Sequence, residues 1–392
     1  MDATTPFIRS TEDGDASLEA TIADLLADIT RRAGEIPHLE ALLLGGSLGR
    51  GEGSVSHELG GDRLASDVEI YLVGRPASLR DAASRLQAEL ASAGDADVSV
   101  AWLHPTALSA GRAKNLSWKP SRTIRLYELA AGSRVLRGEA PDIRPVDPAT
   151  LPVDEGVRLV LNRLAEAAPE VARQSDEAAR WTDKILIACG DTLLLAGGAY
   201  TVRYRDRLTR LRTLSPAWPM PDGWREAVAG AYDRKLTGSR SAPPRAAELD
   251  RLVIALLTGA VDRVASIPLE PLATFPQRWV PVAARRPEPL RYLPPIGPRA
   301  TYEGLVLLVR SARAGHRPTA RGLVQALLGR PRSLALQAAA LPLWLGIVRG
   351  DRSLVAASSR SLRWAGLPPG GIPADDSARL ADHLRRHWLV AA

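Results

Sequence analysis

The sequence predicts an α+β protein in which strands and helices alternate in the N-terminal part and helices alone follow. Apolar runs at 41–44 and 67–73 flank a glycine-rich stretch, and residues 96–103 alternate polar with apolar side chains, as strands do. From about Val153 the apolar residues recur at helical spacing instead. Strands are therefore expected early in the chain, and helices after residue 153.

Helices are expected around these strands as well. Residues 16–33 carry apolar side chains on one helical face before the first strand, and residues 78–91 repeat the pattern after the second. Residues 104–122 are predicted to form a loop, and residues 145–152 a linker. Later helices are predicted at 158–165, 172–196, 224–236, 246–264, 302–313, 322–328, 334–348, 353–365 and 377–390.

A proline-rich stretch marks a boundary in the second half. Residues 268–298 contain nine prolines and show neither helical nor strand periodicity, which is typical of a linker. The predicted division is a strand-bearing domain at 1–148, a helical domain at 149–267, the linker at 268–300 and a C-terminal helical domain at 301–392.

Composition favours a soluble protein of the cytoplasm. The chain has 392 residues, of which 45% are hydrophobic, enough for a sizeable core. Cys189 is the single cysteine, which excludes an internal disulfide framework and fits a reducing compartment. The acidic N-terminus lacks the apolar core of a secretory signal, and the apolar run at 333–348 is too short to span a bilayer. No membrane partner is expected.

The formal net charge of +7 is unevenly distributed. The first 100 residues are net acidic and the rest are net basic, with lysine only at 114, 119, 184 and 235. Such an arginine bias more often reflects genome composition, so it is weak evidence for nucleic-acid binding. An acidic and a basic part are nevertheless what a cleft for a metal ion and a nucleotide uses.

Two carboxylates stand out on the second strand. Asp67 and Glu69 are two residues apart, so their side chains point to the same face, while Val68 and Ile70 point to the other. Adjacent carboxylates repel each other unless a cation lies between them. Hard oxygen ligands on a strand suit Mg²⁺, which takes one or two carboxylates together with waters and substrate phosphates.

The turn after the first strand, Gly45-Gly46-Ser47, predicts a seat for phosphates. Glycine lets the backbone approach a phosphate closely and present N–H groups to its oxygens. Two other glycine motifs fail, because no lysine follows as in a P-loop, and Ser54 stands where the third glycine of a dinucleotide-binding fingerprint belongs. The simpler interpretation is a glycine-rich hairpin with two solvent-facing acids.

Gly46-Ser47 followed by Asp67-Val68-Glu69-Ile70 resembles the signature of the polymerase-β-like nucleotidyltransferase superfamily. The wider stretch from Gly45 to Glu52 is similar to that of small bacterial members, which include the kanamycin and streptomycin nucleotidyltransferases. The resemblance is strong over 41–103, loose to about residue 205 and absent beyond. The distance from Ser47 to Asp67 is longer than usual in the family, which implies an inserted loop at 53–64.

The resemblance implies a mixed-sheet catalytic domain that transfers a nucleoside monophosphate from a nucleoside triphosphate, with ATP expected, to an acceptor hydroxyl and releases pyrophosphate. Asp67, Glu69 and Asp97 are the implied catalytic acids and ligands of Mg²⁺ or Mn²⁺. If the third strand pairs beside the second, Asp97 lies on the same face as the other two acids, as general base or as ligand of a second metal. The plainer interpretation of Asp97 is a strand-entry residue after a turn, and Glu128 is an alternative base.

Further residues are candidates for nucleotide binding. Arg50 could bind the leaving pyrophosphate through its forked guanidinium, or be a solvated loop arginine. Family members carry Lys and Tyr residues on a helical domain that reach the triphosphate. Lys184 could match, with Tyr200 or Tyr204, although Lys184 could equally extend from a core helix to water. The expected nucleotide-binding residues are Gly45, Gly46, Ser47, Arg50 and Lys184.

The sequence contains two weaker signals. Residues 124–129 and 134–138 resemble the family's closing elements, a short helix or strand and then a final strand that ends in glycine. His383 and His387 have the spacing of a zinc helix, but no third ligand is visible, so we expect surface histidines.

Three functions remain open on the sequence. The first is transfer to a small-molecule hydroxyl. The second is transfer to RNA or to a protein side chain, which the basic C-terminal half suggests. The third is a catalytically idle module that binds a nucleotide or a partner, which the inserted loop and the helical tail suggest.

Overall fold

The structure, a computed structural model, divides into two compact units. The first contains Met1–Leu151, Gly198–Thr213 and Tyr232–Ser241, and the second contains Pro152–Gly197, Leu214–Ala231 and Ala242–Ala392. The four-part division predicted from the sequence stays a prediction. The residues described are 6–8, 15–58, 61–93, 97–109, 124–143, 145–151, 153–175, 177–238, 244–265, 332–364, 372–373 and 376–391.

Strands lie in the first unit, and helices lie in both. The strands are β1 (Ala41–Leu44), β2 (Val55–Glu58), β3 (Gly61–Leu64), β4 (Val68–Val73), β5 (Val98–Leu103) and β6 (Arg134–Gly138). The helices are α1 (Asp15–Ala33), α2 (Gly46–Gly49), α3 (Ser78–Ala93), α4 (Pro105–Leu108), α5 (Ile124–Gly132), α6 (Val153–Arg173), α7 (Glu177–Ala196), α8 (Tyr204–Thr213), α9 (Trp224–Thr237), α10 (Asp250–Ala265), α11 (Arg332–Arg349), α12 (Arg352–Trp364) and α13 (Ser377–Ala391).

The main sheet has the order β5-β4-β1-β6. Strand β1 is antiparallel to both β4 and β6, whereas β4 and β5 are parallel. The sheet is therefore mixed, and the predicted α+β class is confirmed.

Strand alternation gives the sheet two different faces. Leu42 and Leu44 of β1, with every second residue of β4 and β5, pack against apolar side chains of α1 and α3. The opposite face carries Leu43 and Tyr71, which pack against Leu126 and other residues of α5. Asp67 and Glu69 follow the parity of Tyr71, so they belong to the α5 face, at the end where β4 begins.

The insertion predicted at 53–64 contains secondary structure. Strands β2 and β3 pair as an antiparallel hairpin between the Gly-Ser turn and Asp67. The N-terminal segment is attached to the base of this hairpin, because the Gly53 N–H donates to the Phe7 carbonyl at 3.1 Å. The inserted stretch is thus partly ordered into strands.

The second unit is helical where it is described, with some bounds different from prediction. Helix α6 runs to Arg173, beyond the predicted end at 165, and it includes Pro169. It ends near Gln174, whose φ of 52° is left-handed, so α7 starts at Glu177 and not at 172. Cys189 is fully buried in α7. His387, expected at the surface, is buried.

Several sequence expectations fall elsewhere. Helix α4 occupies part of the predicted loop at 104–122, and α8 lies where no helix was expected. The predicted linker at 268–298 and the helices at 302–313 and 322–328 lie outside the described residues. Among the helices that are described, none is long and apolar enough to cross a membrane.

Candidate functional site

The three acids named from the sequence lie at one end of the sheet. In the parallel pairing of β4 with β5, Val68 is opposite Val98, so Asp67 precedes one strand where Asp97 precedes the other. The Val68 N–H donates to the Asp97 carbonyl at 2.8 Å, which extends this register to Asp97 itself. Asp97 is exposed, and Asp67 and Glu69 are half-buried.

These acids share a face without forming a closed ligand cluster. Among the described residues, no three His, Cys, Asp or Glu side chains are gathered closely enough to hold a metal ion. The oxygens are of the type that Mg²⁺ and Mn²⁺ prefer, whereas the cluster itself is open.

The Gly-Ser turn lies directly against Glu69. The Gly45 N–H donates to the Glu69 carbonyl at 2.8 Å, which fixes the turn to the start of β4. Gly46 has φ of 62°, and a Cβ at this position would lie 2.6 Å from the Glu69 Oε1. The left-handed backbone conformation favours glycine at residue 46, and a Cβ there would displace the Glu69 carboxylate.

Tyr71 holds the other oxygen of the same carboxylate. Its hydroxyl donates to the Glu69 Oε2 at 2.8 Å, and its ring is so close that a Cβ at Gly45 would lie 2.6 Å from Cε2. Burial and the neighbouring Glu69 charge raise the pKa of Tyr71 well above its usual value of 10.0. The hydroxyl therefore stays protonated and remains a donor. The exposed Arg125 guanidinium is 5.8 Å from the centroid of this ring.

Two more glycines let the rest of the turn pack tightly. A Cβ at Gly49 would lie 2.6 Å from the Leu44 carbonyl oxygen and 2.8 Å from that of Gly132. A Cβ at Gly132 would lie 2.7 Å from the Cγ of Arg50. Arg134 adds a hydrogen bond from its Nε to the Gly49 carbonyl at 3.0 Å. The turn is held between the end of β1, the end of α5 and the side chain of Arg50.

Arg50 is buried and not solvated. Its side chain is 3% exposed, with Nη1 at 3.5 Å from the Glu128 Oε2 and Nε at 3.6 Å from the Glu52 Oε2. Burial lowers the pKa of Arg50, but Glu128 together with Tyr204 and Tyr200 outweighs it and raises the pKa above the usual value. The predicted role in binding pyrophosphate gains no support from these contacts, since Arg50 already faces two carboxylates.

Glu128, the alternative base, joins the same cluster through its other oxygen. Oε1 pairs with the buried Arg207 and accepts a hydrogen bond from the Tyr200 hydroxyl at 2.8 Å. Burial would raise the pKa of Glu128, but Arg50 and Arg207 together hold it below its usual value of 4.5. A carboxylate that is paired on both oxygens is a poor proton acceptor at neutral pH.

Glu52 connects the turn to α8. Its two oxygens accept hydrogen bonds from the first backbone N–H groups of the helix, Tyr204 at 2.9 Å and Arg205 at 3.2 Å. The Tyr204 ring faces the guanidinium groups of Arg50 at 5.0 Å and of Arg207 at 4.7 Å. A carboxylate at a helix N-terminus satisfies unpaired N–H groups and the helix dipole, so Glu52 caps α8 from a distant part of the chain.

The tyrosines proposed to reach the triphosphate are engaged in this cluster. Tyr200 is fully buried, and its hydroxyl is used by Glu128. Tyr204 packs between the two arginines. Their contacts support a structural role for both.

A lysine that was not predicted from the sequence contacts the residue before Asp67. The Lys235 Nζ, near the end of α9, is 3.1 Å from the Oγ of Ser66, which directly precedes Asp67. Lys184 lies on α7 in the other unit, with its Nζ 4.5 Å from the centroid of the Trp181 ring. The only sequence signal for Lys235 is rarity, since the chain has four lysines.

Comparisons with known proteins add no family. A scan against protein-family models and searches of curated proteins and of solved structures give no match to this chain. The residues that bear on function are therefore those at the end of the sheet where Asp67, Glu69 and Asp97 lie.

Proposed function

We propose that the protein is a nucleotidyltransferase of the polymerase-β-like superfamily. It would transfer a nucleoside monophosphate from a nucleoside triphosphate, ATP first among them, to an acceptor hydroxyl with release of pyrophosphate. The observation that carries this proposal is the close approach of Glu69 to Gly46, with a Cβ at Gly46 only 2.6 Å from the carboxylate oxygen. A phosphate-type turn and an acidic strand therefore meet at one point.

The turn supplies the seat for the triphosphate in this proposal. Gly46 and Ser47 offer backbone N–H groups and one hydroxyl, while the Gly45 N–H holds the turn to the Glu69 carbonyl. The left-handed Gly46 gives a bend that such anion seats use. Lys235, in contact with Ser66, would supply a positive charge close in sequence to Asp67. Lys184 stays a prediction for the same task, to be tested against Lys235.

The donor set fits a hard divalent cation. Asp67, Glu69 and Asp97 are the residues that would hold Mg²⁺ or Mn²⁺, because carboxylate oxygens on adjoining strands are the ligands that these ions take. When bound, the ion would neutralise charge on the triphosphate.

The reaction itself can be written on the protein's own residues. Asp97, exposed at the start of β5, would accept the proton of the acceptor hydroxyl. The resulting oxygen attacks the α-phosphorus, the bond between that phosphorus and the bridging oxygen breaks, and pyrophosphate leaves with the electron pair. Catalysis of this kind depends on positioning and charge neutralisation more than on covalent chemistry.

Fewer observations bear on the class of acceptor than on the nucleotide site. A small-molecule hydroxyl is the acceptor that we propose, with RNA or a protein side chain as alternatives. A reducing compartment rich in nucleoside triphosphates, the cytoplasm, is the location that the proposal implies. One rival function is a module that binds a nucleotide and does not turn it over.

A labelling experiment tests the proposal and names the acceptor. The full chain is incubated with labelled ATP, GTP, CTP or UTP, with Mg²⁺ or Mn²⁺, and with a panel of hydroxyl compounds, RNA and proteins. Mass spectrometry then identifies any molecule that gains one nucleoside monophosphate. Nucleotide binding in calorimetry with no labelled product and no pyrophosphate would favour the idle module.

A further inference from the structure

Four charged side chains form a cluster behind the Gly-Ser turn, of which Arg50, Glu52 and Arg207 are buried and Glu128 is 24% exposed. Arg50 and Glu52 follow the turn, Glu128 comes from α5 and Arg207 from α8, and the two positive charges balance the two negative ones. Burying ion pairs costs desolvation, and apolar residues of similar volume often give equal or greater stability. Stability alone is therefore a weak reason for this arrangement, whereas holding one specific arrangement of the backbone is a better one.

The network is connected to the turn through rigid steps. Arg50 is three residues from Ser47, and the intervening Gly49 has backbone oxygens on two sides that leave no room for a Cβ. Glu52 is fixed by the first N–H groups of α8 at 2.9 and 3.2 Å. A shift of Arg50 or Glu52 must therefore displace the turn as well.

Helix α8 is the other end of the connection. Arg207 is 1% exposed and donates from Nε to the Thr201 carbonyl at 2.6 Å and from Nη2 to the Val202 carbonyl at 2.9 Å. The same guanidinium pairs with Glu128, which in turn faces Arg50. Residues 198–213 belong to the first unit, although two helices of the second unit precede them in the sequence. They thus support the turn from behind.

We infer that the network of Arg50, Glu52, Glu128 and Arg207 is a positioning device that fixes the Gly-Ser turn in its nucleotide-binding form, with α8 as its anchor. The assignment of a nucleotide to the turn rests on the proposed function. None of the four residues is assigned to contact the reacting atoms. Weakening the network is expected to reduce nucleotide affinity more than the turnover rate at saturating nucleotide.

Hydrogen exchange measured by mass spectrometry tests the mechanical part on the full chain without any nucleotide. Glu128→Gln removes the charge that both arginines share, and Tyr200→Phe removes only one hydrogen bond to Glu128. Leu86→Ala, a buried α3 residue on the other face of the sheet, is the control. We expect exchange in peptides covering 45–53 to accelerate about tenfold in Glu128→Gln and about threefold in Tyr200→Phe, as for the loss of hydrogen bonds of ordinary net strength.

The control decides between positioning and plain stability. Leu86→Ala is expected to lower the melting temperature while leaving no excess exchange at 45–53. Acceleration that is uniform over the first unit in all variants, or absent at 45–53 in both network variants, would overturn the inference. If Glu128→Gln does not fold, the milder Tyr200→Phe still decides.

Nucleotide affinity provides the second arm. ATP affinity is expected to fall about tenfold in Glu128→Gln and to stay within about twofold of wild type in Leu86→Ala. An equal loss of affinity in both would also overturn the inference. Wild-type protein that binds no nucleoside triphosphate would overturn the proposed function instead, and the exchange data would still show whether the network holds the turn.

Discussion

The carboxylate of Glu69 and the backbone of Gly46 are in direct apposition, with Oε1 2.6 Å from where a Cβ of residue 46 would be. The contact joins the turn after β1 to the acidic face of β4. Any side chain at residue 46 would push the carboxylate away from the turn. The proposed chemistry depends on this contact between Glu69 and Gly46.

Replacing Gly46 is expected to destabilise the folded protein by more than the strain of its left-handed backbone alone. Gly198 has a similar φ of 63° with nothing within 4 Å of its Cβ position, whereas Gly46 has φ of 62° and faces Glu69. Gly198→Ala is predicted to destabilise by about 1 kcal/mol, the usual left-handed penalty, and Gly46→Ala by about 1 kcal/mol more from the close contact. Denaturant unfolding of both variants measures the difference. Equal losses would mean that Glu69 moves aside freely.

The two candidate lysines can be separated by substitution. Lys235→Met is expected to weaken ATP binding about tenfold, because it removes the positive charge that contacts Ser66, the residue before Asp67. Lys184→Met is the matched control, with the same change on a lysine that contacts Trp181. Calorimetric titration with ATP gives both affinities. A loss confined to Lys184→Met would restore the residue predicted from the sequence and remove Lys235 from the site.

Asp97 has two possible roles with different kinetic signatures. If Asp97 is the base, Asp97→Asn should lower turnover about a hundredfold or more and change nucleotide affinity little. The variant keeps the size of the side chain, and Asp97 is exposed, so the fold is expected to persist. Steady-state kinetics together with calorimetry give the two numbers. Equal losses in turnover and affinity would make Asp97 a ligand and not a base.

The ion pairs of Glu128 with Arg50 and Arg207 predict that the free energy of unfolding falls at acidic pH. The pKa of Glu128 in the folded protein lies below the ordinary 4.5, because the two arginines outweigh burial. The stabilising contribution of its charge is therefore complete above the unfolded pKa and is lost as the pH falls through the folded one. The free energy of unfolding should fall more steeply below about pH 4.5 in wild type than in Glu128→Gln. Parallel profiles would contradict this assignment.

Local patterns in the sequence predicted individual strands of the sheet. Ala41–Leu44 was predicted from an unbroken apolar run, and the third strand from alternation over 96–103, where β5 spans Val98–Leu103. Strand parity placed Asp67 and Glu69 on one face, and Asp97 with them on the condition that the third strand pairs beside the second, as β5 does with β4. These features depend on neighbours within a few residues of each other.

The buried network was beyond the sequence because its members are far apart. Glu128 and Arg207 are separated by 79 residues, and Lys235 lies 169 residues from Ser66. Helix α8 was missed since Leu208 and Leu211 are its only buried apolar residues and its third buried side chain is Arg207. From sequence alone an arginine is expected at the surface, because a buried arginine needs a partner that the sequence does not reveal. Arg50 was taken for a phosphate ligand for the same reason.

Pyrophosphate release from ATP in the presence of Mg²⁺ and the acceptor panel tests the central claim most directly, with wild type compared to Asp67→Asn and Glu69→Gln. Both substitutions keep the size of half-buried side chains outside the apolar core, so the folded state should survive. The account predicts release by wild type and a loss of at least about a thousandfold in each variant. Variants that are folded and release pyrophosphate at the wild-type rate would contradict it.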